Sequence, residues 1–335
     1  MVKPPMRSGK YWLILLVIAV FFAIQCKSEV KKPKEKDPLP VENVVVRPAF
    51  DAQKAYDFIQ KQVDFGPRVP GTAAHKACAD WLAAQLDSFG AKVTVQTGQV
   101  TRYDDVKMPM YNIVGSFNPE AKKRLLLCAH WDTRHVADQD DENKNSPIEG
   151  ANDGGSGVGV LLEIARQLQI KNPTAGVDII FFDVEDQGQP DGILPMKRDT
   201  YCLGSQYWAK TPHIPGYSAQ NGILLDMVGA KDAIFTLEGT SMYFAPEWMR
   251  KVWDKAIQLG HSKYFNYSRT DPITDDHLYI NQIKGIPTID IIQNDRNTRS
   301  GFGAYWHTHD DNMSVIDKAT LQAVGETVLA ITYEY

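Results

Sequence analysis

Leu125-Leu126-Leu127-Cys128-Ala129-His130-Trp131-Asp132 opens as an unbroken apolar run and closes on two metal-type side chains. A short apolar run bounded by polar residues reads as a buried strand. Downstream, Ala151-Asn152-Asp153-Gly154-Gly155-Ser156-Gly157 leads into a stretch with Val158, Leu161, Leu162, Ile164, Ala165 and Leu168 on one face. That three- and four-residue spacing predicts a helix. A second apolar run, Val177 to Phe182, then ends in Asp183-Val184-Glu185-Asp186. Strand, helix and strand of these lengths make a parallel βαβ unit. Ligands of open α/β sheets bind beyond the carboxyl ends of the strands. There the two strands deliver His130 and Asp132, and Glu185 and Asp186, with Asp153 arriving between them.

Each of these groups has an ordinary reading alone. An HxD after a strand is a loop hydrogen-bond pair, an Asp before a helix is an N-cap, and a Glu-Asp pair is solvated surface. Their coincidence at one sheet edge is what argues for a site. Several carboxylates crowded there repel one another unless a cation neutralises them.

The chain has 335 residues, 43% of them hydrophobic and 23% charged, enough for one large α/β domain with an ample core. A net charge of -5 gives no support to nucleic-acid binding. The four cysteines follow no metal or redox spacing; Cys78 in a helical pattern and Cys128 in the strand read as core thiols.

The N-terminus reads as a targeting segment over residues 1–26. Lys3, Arg7 and Lys10 precede an apolar run from Tyr11 to Ile24, and Cys26 follows. The run is short for a spanning helix and suits a signal segment. Cys26 resembles a bacterial lipoprotein cysteine, although Gln25 stands where a small residue is usual; an uncleaved signal anchor is the alternative. Both place the chain outside the cytoplasm, tethered to a membrane and facing the periplasm or cell envelope. Residues 27–46 are rich in Lys, Glu and Pro and read as a solvated linker. Residues 47–335 are expected to form the catalytic domain.

Within it, Asp51 to Val63 and Ala73 to Phe89 are helical patterns, the latter closed by Gly90. Lys92 to Gln96 alternates as an antiparallel edge strand does, and Tyr111 to Phe117 is a further strand. Gln187 to Thr200 is a long aperiodic loop at the active end of the sheet, a place where such loops are commonly functional. Gly222 to Val228 reads as a buried strand with Asp226 inside it, and Ile286 to Ile292 as another with Asp290. An Asp in such a strand needs a partner or a cation. Helices over Tyr201–Lys210, Pro246–Leu259 and Lys318–Tyr335 complete the pattern. The whole predicts an α/β single domain: a central mixed, largely parallel twisted sheet flanked by helices.

The order HxD, Asp-Gly, Glu-Asp after Phe181-Phe182-Asp183, Leu224-Leu225-Asp226-Met227, Asp275-Asp276-His277 and Trp306-His307-Thr308 resembles the zinc aminopeptidase-like hydrolases. Within them it is most similar to the glutaminyl-peptide cyclotransferases, bacterial lipoprotein members included. The likeness runs over roughly residues 50–335 and takes in Asp64-Phe65-Gly66-Pro67-Arg68-Val69-Pro70-Gly71.

This resemblance implies one zinc ion per chain held by Asp153, Asp186 and His307, which leaves a fourth position open as catalytic sites do. It implies Glu185 as general acid/base and Asp226 and Asp275 as acidic members of the proton network. Trp306 is then a wall of the substrate pocket. Asp186 stands where many relatives carry Glu, and Asp290 where animal cyclases carry His. The implied reaction turns an N-terminal glutamine into pyroglutamate with release of ammonia, on peptides and proteins, by a monomer. Asp226, hydrogen-bonded near Glu185, and Asp275 are expected to raise the pKa of Glu185 by like-charge repulsion. Two alternatives stand beside it. A di-zinc aminopeptidase would use the same residues, with His130 and Asp226 completing a second metal set around Asp153. A non-catalytic binding domain would keep the fold but need not keep Glu185. Of the remaining histidines, His75, His213 and His261 read as surface or helix residues, and His277 as support for the Asp275-Asp276-His277 turn.

Overall fold

The period-two alternation of the central strands decides which layer each side chain joins. In β3 (Arg124–His130), Leu125, Leu127 and Ala129 enter one apolar cluster, while Leu126 and Cys128 enter another on the opposite face. β4 (Gly176–Phe182) repeats this with Val177, Ile179 and Phe181 against Ile180 and Phe182. Because both faces are buried, these strands read as continuous apolar runs rather than as alternating ones.

The computed structural model describes residues 46–335. The targeting segment and Cys26, and nearly all of the linker, lie outside the described residues. Chain order before β3 is α1 (Ala52–Val63), α2 (Ala73–Ser88), β1 (Lys92–Thr101) and β2 (Lys107–Phe117). Between β3 and β4 runs α3 (Gly155–Ile170), and α4 (Leu203–Lys210) and β5 (Asn221–Asp226) follow β4. Then come β6 (Phe235–Leu237), α5 (Gly239–Phe244), α6 (Pro246–Gln258), β7 (Phe265–Arg269) and α7 (Asp276–Tyr279). β8 (Thr288–Ile292) and α8 (Lys318–Glu334) end the chain.

The main sheet has six strands in the order β1-β2-β4-β3-β5-β8. The first two junctions are antiparallel and the other three parallel, so the sheet is mixed and largely parallel, as expected. The antiparallel edge strand β1 runs to Thr101, five residues beyond its expected end, because every residue from Lys92 pairs with β2. Helices α1, α2, α3, α6 and α8 contribute to the larger cluster, and Trp208 and Ala209 of α4 to the other. The short parallel pair β6-β7 was not legible: three residues carry no period.

β5 differs from its expected range. It stops at Asp226 because Met227 turns into the left-handed region, with φ +48°. Asp226 therefore sits at the tip of the strand, opposite Ile292 in the last pair of the ladder with β8. The βαβ unit packs closely at α3. A Cβ on Gly157 would collide with the Leu225 carbonyl and the Ala129 side chain, so only glycine lets this helix lie against the strands.

Candidate active site

The site grows from the carboxyl ends of β3, β4 and β5. After β4 the chain makes a strained turn: Val184 is buried at φ +55°, a conformation that a β-branched residue rarely adopts. The buried Asp183 carboxylate holds that turn, accepting from the N–H groups of Val184 (2.8 Å) and Tyr111 (2.6 Å). Behind it, His75 Nε2 lies 2.9 and 3.0 Å from the two Asp183 oxygens. His75 is thus a helix residue but fully buried, which corrects any surface reading. Asp132 completes the turn, accepting from Glu185 N (2.9 Å), Asp186 N (3.3 Å) and the Gln187 side chain (3.1 Å). Its role is to aim Glu185 and Asp186.

Asp153 is placed from the other side. Gly154 after it has φ +83°, where a Cβ would strike the Asp132 carbonyl and crowd His130. The buried Asp311 carboxylate accepts from Asn152 N (2.8 Å) and Asp153 N (3.0 Å). Buried Arg68 donates to the carbonyls of Glu149, Gly150 and Trp131. These contacts fix the loop in front of α3. Burial, with the Asp153 charge nearby, pushes the Asp311 carboxyl up to about 8.

Two groups of ligating side chains result. Asp153, Asp186 and His307 present one ligand atom each within 4.8 Å of one another, and so do His130, Asp153 and Asp226. In the first, His307 Nε2 is 3.1 Å from Asp186 Oδ1 and 3.8 Å from Asp153 Oδ2. His307 itself holds φ +56°, another strained position at the site. Arg134 braces this group from behind. It donates to the Asp186 carbonyl (3.2 Å) and to both oxygens of Asp138, and Asp138 Oδ1 is 3.2 Å from His307 Nδ1. In the second group, His130 Nε2 lies 3.0 Å from Asp153 Oδ1 and 3.2 Å from Asp226 Oδ1. Burial opposes a charge on His130, yet contacts with Asp132, Asp153 and Asp226 hold its pKa well above the usual imidazole range.

Glu185 stands outside both groups. Its Oε1 is 3.1 Å from the thiol of buried Cys202, and Glu185, Cys202 and Asp275 again approach within 4.8 Å. Burial raises its pKa well above the ordinary value; His130 works against this, and Asp275, Asp186 and Asp276 reinforce it. Asp226 is not among these neighbours. Its hydrogen bond goes to His130 (3.2 Å), whose Nδ1 is 4.0 Å from Glu185 Oε2, so Asp226 reaches Glu185 through that ring. Burial, then Asp226, raises the Asp275 carboxyl to about 6. Asp290 is fully buried near Asp275, with neither oxygen hydrogen-bonded among the described residues. His277 Nε2 meets Glu238 at 3.1 Å and so steadies the turn that carries Asp275.

A cleft of about 390 Å³ opens onto the site. Asp153, Glu185, Asp186, Asp226, Asp275, Trp306 and His307 all line it, and His130 does not. Trp306 stacks on His307 with ring centroids 3.6 Å apart and meets Phe302 at 5.0 Å. Tyr201 and Asp191 come from the long loop after β4 and its end, which gives that loop a place in the cleft. Sequence reasoning missed Arg134, Asp138, Asp311 and Cys202. The charged loop after His130 held a signal for the first two, and the Asp310-Asp311-Asn312 end of the motif that carries His307 held one for Asp311; no local pattern marks Cys202.

The donor set suits zinc, which takes imidazole and carboxylate ligands. Asp186 Oδ2 is buried without a hydrogen-bond partner among the described residues, as a ligand oxygen facing a cation would be.

A sequence model described as peptidase family M28 matches residues 112–332. The structure superposes on the glutaminyl cyclase of Tannerella forsythia with a TM-score of 0.85 and 53% identity, covering 86% of this chain and 100% of that one. It superposes on a Zn-dependent exopeptidase from Parabacteroides distasonis with a TM-score of 0.86 and 51% identity, covering 87% and 100%. The glutaminyl-peptide cyclotransferase of Gloydius blomhoffii is 28% identical over 80% of this chain and 77% of its own length.

Proposed function

Because the chain belongs to peptidase family M28 and is built throughout like its glutaminyl cyclases, we propose that it cyclises N-terminal glutamine. It is a glutaminyl-peptide cyclotransferase, converting the N-terminal glutamine of peptides and proteins to pyroglutamate and releasing ammonia. The observation that carries this is the buried Glu185, protonatable and outside the metal-ligand group, with Asp275 at its side.

In this reading Asp153, Asp186 and His307 hold a single zinc. Bound there, zinc supplies Lewis acidity toward the side-chain amide carbonyl. The cleft's carboxylates draw in the substrate's terminal ammonium, which gives up one proton to solvent to become the free amine before it reacts. Trp306 and Phe302 wall the pocket and keep water from the amide. The α-amine attacks the γ-carbonyl of its own residue, so the step is intramolecular and rests on orientation. Glu185 takes one proton from the amine as the ring C–N bond forms. It returns that proton to the departing nitrogen as the amide C–N bond breaks, and ammonia leaves. A pKa raised by burial and by Asp275 makes one carboxyl able to do both. Asp226 holds His130 in place, and His130 offsets the charge of Asp153 and Asp226.

Incubating the enzyme with a glutaminyl peptide and, separately, with a leucine anilide tests the reading. The expected product is the peptide less one ammonia, with all residues present and the anilide intact. Release of free glutamine or of the aniline would establish the aminopeptidase instead.

We further propose that the catalytic domain, residues 47–335, is exported as a monomer and tethered to a cell-envelope membrane through Cys26. Supporting this are the basic and apolar residues ahead of that cysteine. Cys26→Ala is expected to release the protein from membranes or block its processing. Unchanged membrane association, with residues 1–25 still on the mature chain, would favour a signal anchor.

A further inference from the structure

A second cleft, of about 470 Å³, adjoins the active-site cleft and shares Pro272, Ile273, Ser300 and Phe302 with it. The two have opposite electrostatic character. Six carboxylates line the active-site cleft, where His307 is the one basic side chain. The second carries two guanidiniums, Arg269 at the end of β7 and Arg296, against the single carboxylate of Asp271.

We propose that this second cleft is a subsite for a carboxylate on the part of the peptide that follows the glutamine; the proposal rests on the cyclisation reading. Arg102, Arg124, Arg134 and Arg166 are each committed to a carboxylate of the chain itself. Arg269 and Arg296 are exposed, and among the described residues neither lies in an ion pair, Asp271 included. Arg296 is nonetheless held in place, since its Nη2 donates to the Arg269 carbonyl at 2.8 Å. The loop that carries it is tied to itself. Asp295 N donates to the Gly301 carbonyl (2.7 Å), the Asn294 side chain to the same oxygen (3.1 Å), and Thr298 Oγ1 to the Phe302 carbonyl (2.5 Å). The loop and the Arg296 guanidinium are therefore preformed, and both guanidiniums are free of carboxylates of the chain among the described residues and open to an acceptor from outside it.

The geometry gives the bound peptide a direction. Its ammonium end enters the acidic cleft, and its chain leaves over the Phe302 and Pro272 wall toward the arginines. Two sources offer the matching chemistry: an Asp or Glu side chain soon after the glutamine, or the terminal carboxylate of a short peptide. Both would be attracted, and a lysine there would be repelled.

The test compares kcat/KM for glutaminyl peptides, amidated at the C-terminus, that carry Glu, Ala or Lys at the second or third position. A free-acid tripeptide is run against its amide to read the terminal carboxylate separately. Wild type is expected to prefer Glu over Lys by about five- to tenfold, mostly through KM, and to lose that preference as salt is raised. Arg269→Glu combined with Arg296→Glu is expected to invert the ratio toward Lys, and both positions are exposed enough for the fold to tolerate them. Equal rates for Glu and Lys peptides, with the Ala peptide still cyclised, would overturn the subsite alone. So would a preference that survives the double charge reversal. Failure to cyclise any of the peptides would overturn the cyclisation reading, and the subsite with it.

Discussion

Asp153 belongs to two groups of ligating side chains, and they differ in what already surrounds them. With Asp186 and His307 it lines the cleft, where Asp186 leaves one oxygen unbonded and Arg134 and Asp138 brace the far side. With His130 and Asp226 it closes on an imidazole only 1% exposed, which lies within hydrogen-bond distance of both carboxylates. A ring that lies between two carboxylates offsets their charge. The first group lines the cleft throughout; in the second, His130 Nε2 lies between two carboxylates while its Nδ1 is buried without a hydrogen-bond partner among the described residues. On the reading proposed above, the second group supports the first and holds no ion of its own.

Removing Asp153 breaks both groups at once. Asp153→Ala is expected to lose bound zinc and to lower kcat/KM by about four orders of magnitude, as the loss of several kcal/mol of Lewis-acid stabilisation requires. Zinc content and turnover measured on the same sample check this. Glu185→Gln tests the next level. The metal should stay, since Glu185 stands outside both groups, while kcat falls by about two to four orders of magnitude. Rates near wild type would sink its role as proton carrier.

The comparison is sharpened by the second group alone. Asp226→Asn and His130→Gln should each leave zinc content unchanged and cost about 10- to 100-fold in kcat/KM, the usual effect of groups that support a ligand from behind. Loss of half the zinc in either variant would promote the second group to a metal site.

His130, Asp186 and Asp153 were legible from the ends of two apolar runs and the turn before the helix between them, whereas His307 came only with the resemblance. Residues 125–132 and 177–186 carry an apolar run, a break and then charge, which fixes the sheet and the ends where Glu185 and Asp186 emerge. Asp226 read as lying within a strand because apolar residues continue to Val228; the left-handed turn at Met227 leaves no trace in hydrophobicity. Arg134, Asp138 and Asp311 reach Asp186, His307 and Asn152 across 52, 169 and 159 residues of the chain, and such long-range partners follow from the fold alone. His75 was read by type, and its burial follows from the packing of α2 against β2 and the turn after β4.

The central claim is a cyclase with one zinc, whose attacking amine has to remain free of metal. A second ion beside Glu185 would compete for that amine and lower the carboxyl's pKa, removing the proton carrier. Elemental analysis of fully active, purified enzyme decides the matter directly. One tightly held zinc per chain, accompanied by ammonia release from a glutaminyl peptide, is the predicted result. Two tightly held zincs, accompanied by release of N-terminal residues, would contradict it.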